Sequence, residues 1–183
     1  MNGEERVPVS IGMKLVSLLL MVGGVLGIGL TAWLDSNLVS SGQVALFSPS
    51  VAITGYFIVV FGWAAWTGRN LSIGYRRAVR QAQILFALQI PLFRIPGFVY
   101  EFHTGFTASI GIANGAAFNF SFHLGSSANF YFSPPIHGFY FAVNFVALAV
   151  LIYLQRKSRE VPATAVPPPT IPLTPPPPPM QLE

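Results

Sequence analysis

Cysteine is absent from the 183 residues, which excludes disulfides, thiolate metal sites and thiol redox chemistry. Charge is scarce as well. Charged residues make up 9% of the chain, against roughly 25% in ordinary soluble domains, too few to cover the surface of a water-soluble fold of this size. Also missing are a Ser-His-Asp constellation, a Gly-rich loop followed by a phosphate-binding lysine, and any recognised metal-ligand spacing. No catalytic residue and no cofactor is therefore assigned, and a non-enzymatic role is expected. The net charge of +4 does not point to nucleic acid, because the basic residues flank apolar stretches, where they meet anionic headgroups.

What is abundant is apolar: 52% hydrophobic residues, sixteen phenylalanines and a mean hydropathy of +0.59. Four stretches read as spans, at about 15–34, 51–67, 81–100 and 138–154, since some 20 helical residues cross a hydrocarbon core of ~30 Å. The first competes with a signal peptide, but it exceeds the roughly 7–15 residues of a signal core and no A-x-A-like site follows it. The expected fold is an all-α membrane protein. A flank at 1–14 precedes a four-helix transmembrane bundle over 15–160, and a disordered Pro-rich tail follows at 161–183, where ten of the sixteen prolines lie.

Lysine and arginine set the orientation. Residues 35–50 and 101–137 contain neither. Arg69, Arg76, Arg77 and Arg80 lie between the second and third stretches, Arg156, Lys157 and Arg159 follow the fourth, and Arg6 and Lys14 precede the first. The positive-inside rule then puts both termini in the cytoplasm of a multi-pass plasma or bacterial inner membrane protein.

Between the third and fourth stretches the period changes. From 106 to 132 the apolar residues fall on even numbers, among them Phe106, Ile110, Ile112, Phe118, Phe120, Phe122, Leu124, Phe130 and Phe132. Thr107, Ser109, Asn119, Ser121, His123 and Asn129 fall on odd ones. Period two marks strands, whereas a fifth helix would need a helical stripe. Even must face even across a hairpin, so the loops have odd lengths: Ala113-Asn114-Gly115, with Ile112 opposite Ala116, and Gly125-Ser126-Ser127, with Phe122 opposite Phe130. A small antiparallel β-meander over about 106–132 is expected in the outer loop, kept out of hydrocarbon by its open edges. Its outer apolar face, Phe118, Phe120, Phe122, Phe130 and Phe132, needs a cover.

Arg94 inside an apolar stretch marks a candidate intramembrane polar site with Gln89, Asn144, Glu101 and Asp35. On a continuous helix Glu101, seven residues on, shares its face; alternatively Pro91 and Pro96 end the helix and Arg94 snorkels to the headgroups. His103, His123, His137 and Glu101 are weak metal-ligand candidates without a recognised spacing. Gly23 and Gly27 have the G-x-x-x-G spacing of closely packed membrane helices. The expected function is an interaction or accessory subunit that contacts a partner through its outer Phe-rich sheet. Its partners are the lipid bilayer, a membrane protein or a second copy. The alternatives are a small transporter or channel subunit with a polar path near Arg94, and a metal-dependent membrane enzyme using the outer histidines.

Overall fold

The computed structural model describes residues 6–42, 49–114, 117–132 and 138–160. Helix α1 (Ile11–Ser40) starts at Ser10, whose Oγ accepts a hydrogen bond from the Met13 amide at 3.4 Å. Helix α2 (Pro49–Ile73) runs antiparallel to it. Small residues let the two backbones meet: a Cβ on Gly24 would lie 2.6 Å from the Phe61 carbonyl and the Ala65 amide, and one on Gly27 would enter the Phe61 ring. Farther along the pair, Ser17 Oγ donates to the Gly68 carbonyl at 2.7 Å. The end of α2 is closed by the Gly74 and Tyr75 amides, which donate to Leu71 and Asn70 carbonyls, the Schellman pattern that satisfies a helix's last acceptors.

Helix α3 (Arg76–Leu88) is short and two-faced. Ala78, Val79, Ala82, Leu85 and Phe86 form its buried stripe, and Arg76, Arg77 and Arg80 point to solvent. At 1.5 Å per residue it reaches about 20 Å, well short of a bilayer core. Its stripe packs with Met13, Val16 and Leu20 of α1, Leu71 of α2, and Ala147 and Leu154 of α4 (Phe145–Glu160).

Six strands lie between α3 and α4: β1 (Pro91–Ile95), β2 (Phe98–His103), β3 (Phe106–Ala113), β4 (Ala117–Leu124), β5 (Ser127–Phe132) and β6 (Tyr140–Asn144). They form one antiparallel sheet in the order β4-β3-β6-β1-β2-β5. β1 and β2 turn through Pro96-Gly97, with Ile95 opposite Phe98. Gly97 has φ +87, the value that the third position of a type II turn demands, and proline suits the second.

The sheet cannot be flat. Thr104-Gly105 links β2 to β3, and Gly125-Ser126 links the two edge strands β4 and β5. In a flat sheet with strands ~4.8 Å apart those gaps are about 14 and 24 Å. Two linking residues span at most about 11 Å between strand ends. The sheet therefore rolls up, and the rings of His103 on β2 and His123 on β4 come within 6.0 Å although three strands separate them in the sheet order. The links are tied to each other and to α1: Gly125 N donates to the Gly105 carbonyl at 2.6 Å, Gly105 N to Ser126 Oγ at 3.2 Å, and Ser126 Oγ to the Gly23 carbonyl at 2.5 Å. Gly105 has φ +79, a conformation without steric cost only for glycine.

The expected four-helix transmembrane bundle is therefore overturned. Four helices form, but with a six-stranded sheet. Among the described residues only Ile11–Leu34 is long and apolar enough to cross a bilayer, a property it shares with N-terminal signal sequences and buried core helices. The stretch at 81–100 takes in parts of α3, all of β1 and half of β2, and the stretch at 138–154 divides into β6 and α4. Apolar content cannot tell these apart from continuous helices, whereas Pro91, Pro96 and Gly97 break the helix on steric grounds.

The expected meander is corrected as well. β3 and β4 do pair with even facing even, but Ile112 lies opposite Phe118, two residues from the expected register. β5 crosses to β2, so that Tyr100, not Phe122, faces Phe130. Gly115 and Ala116, the proline-rich tail and residues 1–5 lie outside the described residues.

Glycine packing between α1 and its neighbours gives a stability test. Gly23→Ala and Gly24→Ala place a methyl within 3.0 Å of backbone atoms of Gly105 and of α2 respectively, and each should lower stability by about 1–3 kcal/mol. Gly29 has nothing within 4 Å of a built Cβ, so Gly29→Ala should be neutral or gain up to about 1 kcal/mol from helix propensity. Thermal unfolding in mild detergent measures all three; equal effects at positions 24 and 29 would contradict this packing.

Candidate functional site: a polar chamber inside the rolled sheet

Alternation along each strand sends one set of side chains into the roll and the other out. Inward go Leu92 and Arg94 of β1, Glu101 and His103 of β2, Thr107 and Ser109 of β3, Asn119, Ser121 and His123 of β4, Ser127 and Asn129 of β5, and Tyr140 of β6. They line a cavity of about 550 Å³. Outward go Phe106, Ile110, Ile112, Phe118, Phe120, Phe122, Leu124 and Phe141. The polarity is the reverse of a soluble barrel: Thr107 and Ser109 are 0% and 1% exposed, whereas Phe118 and Leu124 are 81% and 89% exposed.

Register arranges the chamber in levels. Arg94 and Ala113 both lie opposite Tyr140 at one end, and Thr107 lies opposite His123 towards the other, where the links meet α1. Arg94 Nε donates to Glu101 Oε1 at 2.5 Å, across the β1–β2 hairpin rather than along a helix. Glu101 Oε2 accepts from Asn129 Nδ2 at 3.1 Å, and the Arg94 guanidinium lies 5.8 Å from the centre of the Tyr140 ring. The hydrogen bond with Glu101 holds Arg94 more firmly protonated, against the opposing effect of burial. Ser109 and Ser121 share a hydrogen bond of 2.7 Å.

The other candidates have structural roles. Gln89 ends α3, and its Oε1 accepts from the amide and hydroxyl of Thr104 at 3.0 and 3.2 Å, which fastens the β2–β3 link. Asn144 Oδ1 caps α4 by accepting from the Val146 and Ala147 amides, and its backbone N–H donates to the Ile90 carbonyl at 2.9 Å. Neither residue joins Arg94 in a polar path. Gly23 lies against Thr104 and Gly105, and Gly27 against Phe61, so the glycine spacing serves packing within the chain.

Asp35 belongs to α1 and Phe130 and Phe132 to β5, but their side chains lie outside the described parts of the structure, as does the whole of His137. His103 and His123 stack with an interplanar angle of 29°. Among the described residues no three His, Asp or Glu side chains are grouped to hold a metal ion. Sequence reasoning named the odd-numbered polar residues of β3 and β4 but read them as a solvated face. Their place in an interior follows from the short links only together with the strand order, which no local stretch of sequence contains.

Comparisons with protein-family models, curated proteins and solved structures return no match. The chemistry of the site therefore rests on its own residues. Those residues supply hydroxyl, amide and imidazole groups around a closed ion pair, an arrangement suited to holding a polar molecule.

The His103 imidazole is held below its ordinary value of 6.5, chiefly by burial and next by His123, with Glu101 acting in the opposite direction. The unfolded chain then binds the proton more readily than the folded one. His103 should contribute no pH dependence above about 6.5, and stability should fall as pH drops below that value. His103→Gln should flatten this part of a plot of melting temperature against pH; an unchanged slope would show that another group carries it.

Proposed function

We propose that this chain is a non-enzymatic membrane protein whose rolled sheet presents its Phe-rich outer face to lipid. The observation that carries the reading is the reversed polarity of the sheet, with phenylalanine and leucine outside and threonine and serine within. Exposed large apolar residues are not confined to one patch. They include Leu15, Leu18, Val25 and Leu30 of α1, Val59 and Trp66 of α2, Ile84 of α3, Phe141 of β6 and Ile152 of α4. A protein partner covers a patch; a spread over every layer calls for an apolar solvent, so lipid is the favoured cover.

Charge distribution supports the same reading. Ser10 Oγ bonds to Tyr153 Oη at 2.6 Å, Val7 N donates to the Gly74 carbonyl at 2.8 Å, and Gln83 Nε2 reaches Ser158 Oγ at 3.5 Å. The N-terminal segment, the α2–α3 junction and the end of α4 thus meet at one end of the molecule, away from the sheet. Nine of the ten Lys and Arg residues lie in these segments, and Arg94 is the exception. On this proposal the basic end meets cytoplasmic headgroups and the sheet lies towards the opposite face. Strands of five to eight residues are shorter than the 9–11 of a spanning barrel, so the sheet does not cross by itself. Gln89 and Asn144, expected beside Arg94 on a polar path, instead fasten the β2–β3 link and cap α4.

The cysteine-free chain allows a direct test. Nitroxide labels on Phe120→Cys and Leu124→Cys in reconstituted liposomes should collide more with dissolved oxygen than with a water-soluble nickel complex. A label on Ser121→Cys should show the reverse preference. Nickel collisions dominating at position 120, together with release of the protein from membranes by alkaline carbonate, would overturn the lipid assignment.

A further inference from the structure

We infer that the chamber inside the rolled sheet is a binding site for a neutral polyhydroxylated molecule, a sugar or a sugar-like polyol. The first observation is unsatisfied chemistry. Thr107 Oγ1, on a residue that is fully buried, and His103 Nδ1 have no hydrogen-bond partner, and both residues line the cavity. Buried polar groups are nearly always paired, and an unpaired one costs about 1–3 kcal/mol. A ligand hydroxyl can both donate and accept, so one molecule can satisfy a threonine hydroxyl and an imidazole nitrogen together.

Charge then selects the class. Arg94 and Glu101 neutralise each other, and the second carboxylate oxygen is taken by Asn129. Neither an anion nor a cation finds an unpaired opposite charge there, and a charged ligand would have to break the pair. The rest of the lining mixes apolar Leu92, Ala113 and Phe139 with groups that donate and accept without charge, among them Ser109, Ser121, Asn119 and Ser127. Volume agrees, since about 550 Å³ falls within the range of small-molecule sites, roughly 300–1,000 Å³. Hydroxyls and amides set among apolar groups suit an occupant that carries both hydroxyls and C–H faces. The same chemistry occurs in free sugars and in the headgroups of glycolipids. This inference does not depend on the membrane assignment, because it uses only the interior of the sheet.

The test uses the full chain in detergent, with glucose, myo-inositol and inorganic phosphate as soluble probes. Vesicles containing a galactosyl diacylglycerol provide a second arm. Saturable calorimetric binding of at least one neutral probe is expected, with no saturation by phosphate. Thr107→Val should weaken it at least tenfold while keeping the fold, checked by circular dichroism. If that variant does not fold, Asn119→Ala, at an exposed position of the lining, should weaken binding several-fold. The outward-facing Phe120→Leu should leave affinity unchanged. Binding of the glycolipid but not of the free sugars would assign the headgroup as the source; binding of both would assign the sugar itself. Phosphate binding tighter than every neutral probe, no saturation by any neutral probe or glycolipid, or equal affinity in Thr107→Val would overturn the inference.

Discussion

Chain connectivity is the constraint on which the rest of this structure depends. Two links of two residues each, Thr104-Gly105 and Gly125-Ser126, join strands that are not neighbours in the sheet. Covalent reach makes a flat sheet impossible, so the sheet has an inside. The same links carry the hydrogen bonds that hold the roll to α1 through Ser126 and the Gly23 carbonyl. Gln89 completes this floor by accepting from both the amide and the hydroxyl of Thr104. One small region thus sets the curvature of the sheet, its place on the helices and the closed end of the chamber.

Rolling turns an ordinary strand alternation into two environments. In a flat meander Thr107, Ser109 and Ser121 would face water. Inside the roll they face one another, and Ser109 and Ser121 pair directly. The phenylalanines on the other face are left outside, covered only where α2 passes: Phe102 is buried against Phe57 and Phe61, but Phe118 and Phe120 on the far strand have no such neighbour and stay exposed. Reversed polarity and polar chamber are therefore two results of one closure.

The strands of one hairpin were legible in the sequence, and the rest failed for definable reasons. The strand character of 106–112 and 118–124 was clear because alternation there is long and unbroken. The partner of β5 was not, because local parity fits β4 as well as β2 and only non-local pairing separates them. The stretches at 81–100 and 138–154 were read as helices because apolar content is blind to backbone conformation. Their disproof was present in Ile95-Pro96-Gly97-Phe98, a type II turn sequence, and in Asn144, a residue favoured at helix N-caps. For Arg94 the sequence offered either a meeting with Glu101 along a helix or a snorkelling side chain; the two residues meet across a hairpin, where the diagonal between strands brings positions seven apart within reach. The polar chamber escaped notice because its walls come from all six strands, and no local window contains that information.

Strand order carries a consequence for how this fold is assembled. β6 lies between β3 and β1, so the strand at the middle of the sheet is the last to leave the ribosome. Until residues 140–144 arrive, β4-β3 on one side and β1-β2-β5 on the other are joined only through the two short links, with the β3 and β1 edges unpaired. The register of β6 against both of them, Tyr140 with Arg94 and with Ala113, then joins the halves in one step. Pairings so distant in sequence form slowly, and α4 follows β6 directly, docking its Leu154 into the helical core. Closure of the chamber and completion of the helical layer are thus one late event, driven by a single short segment.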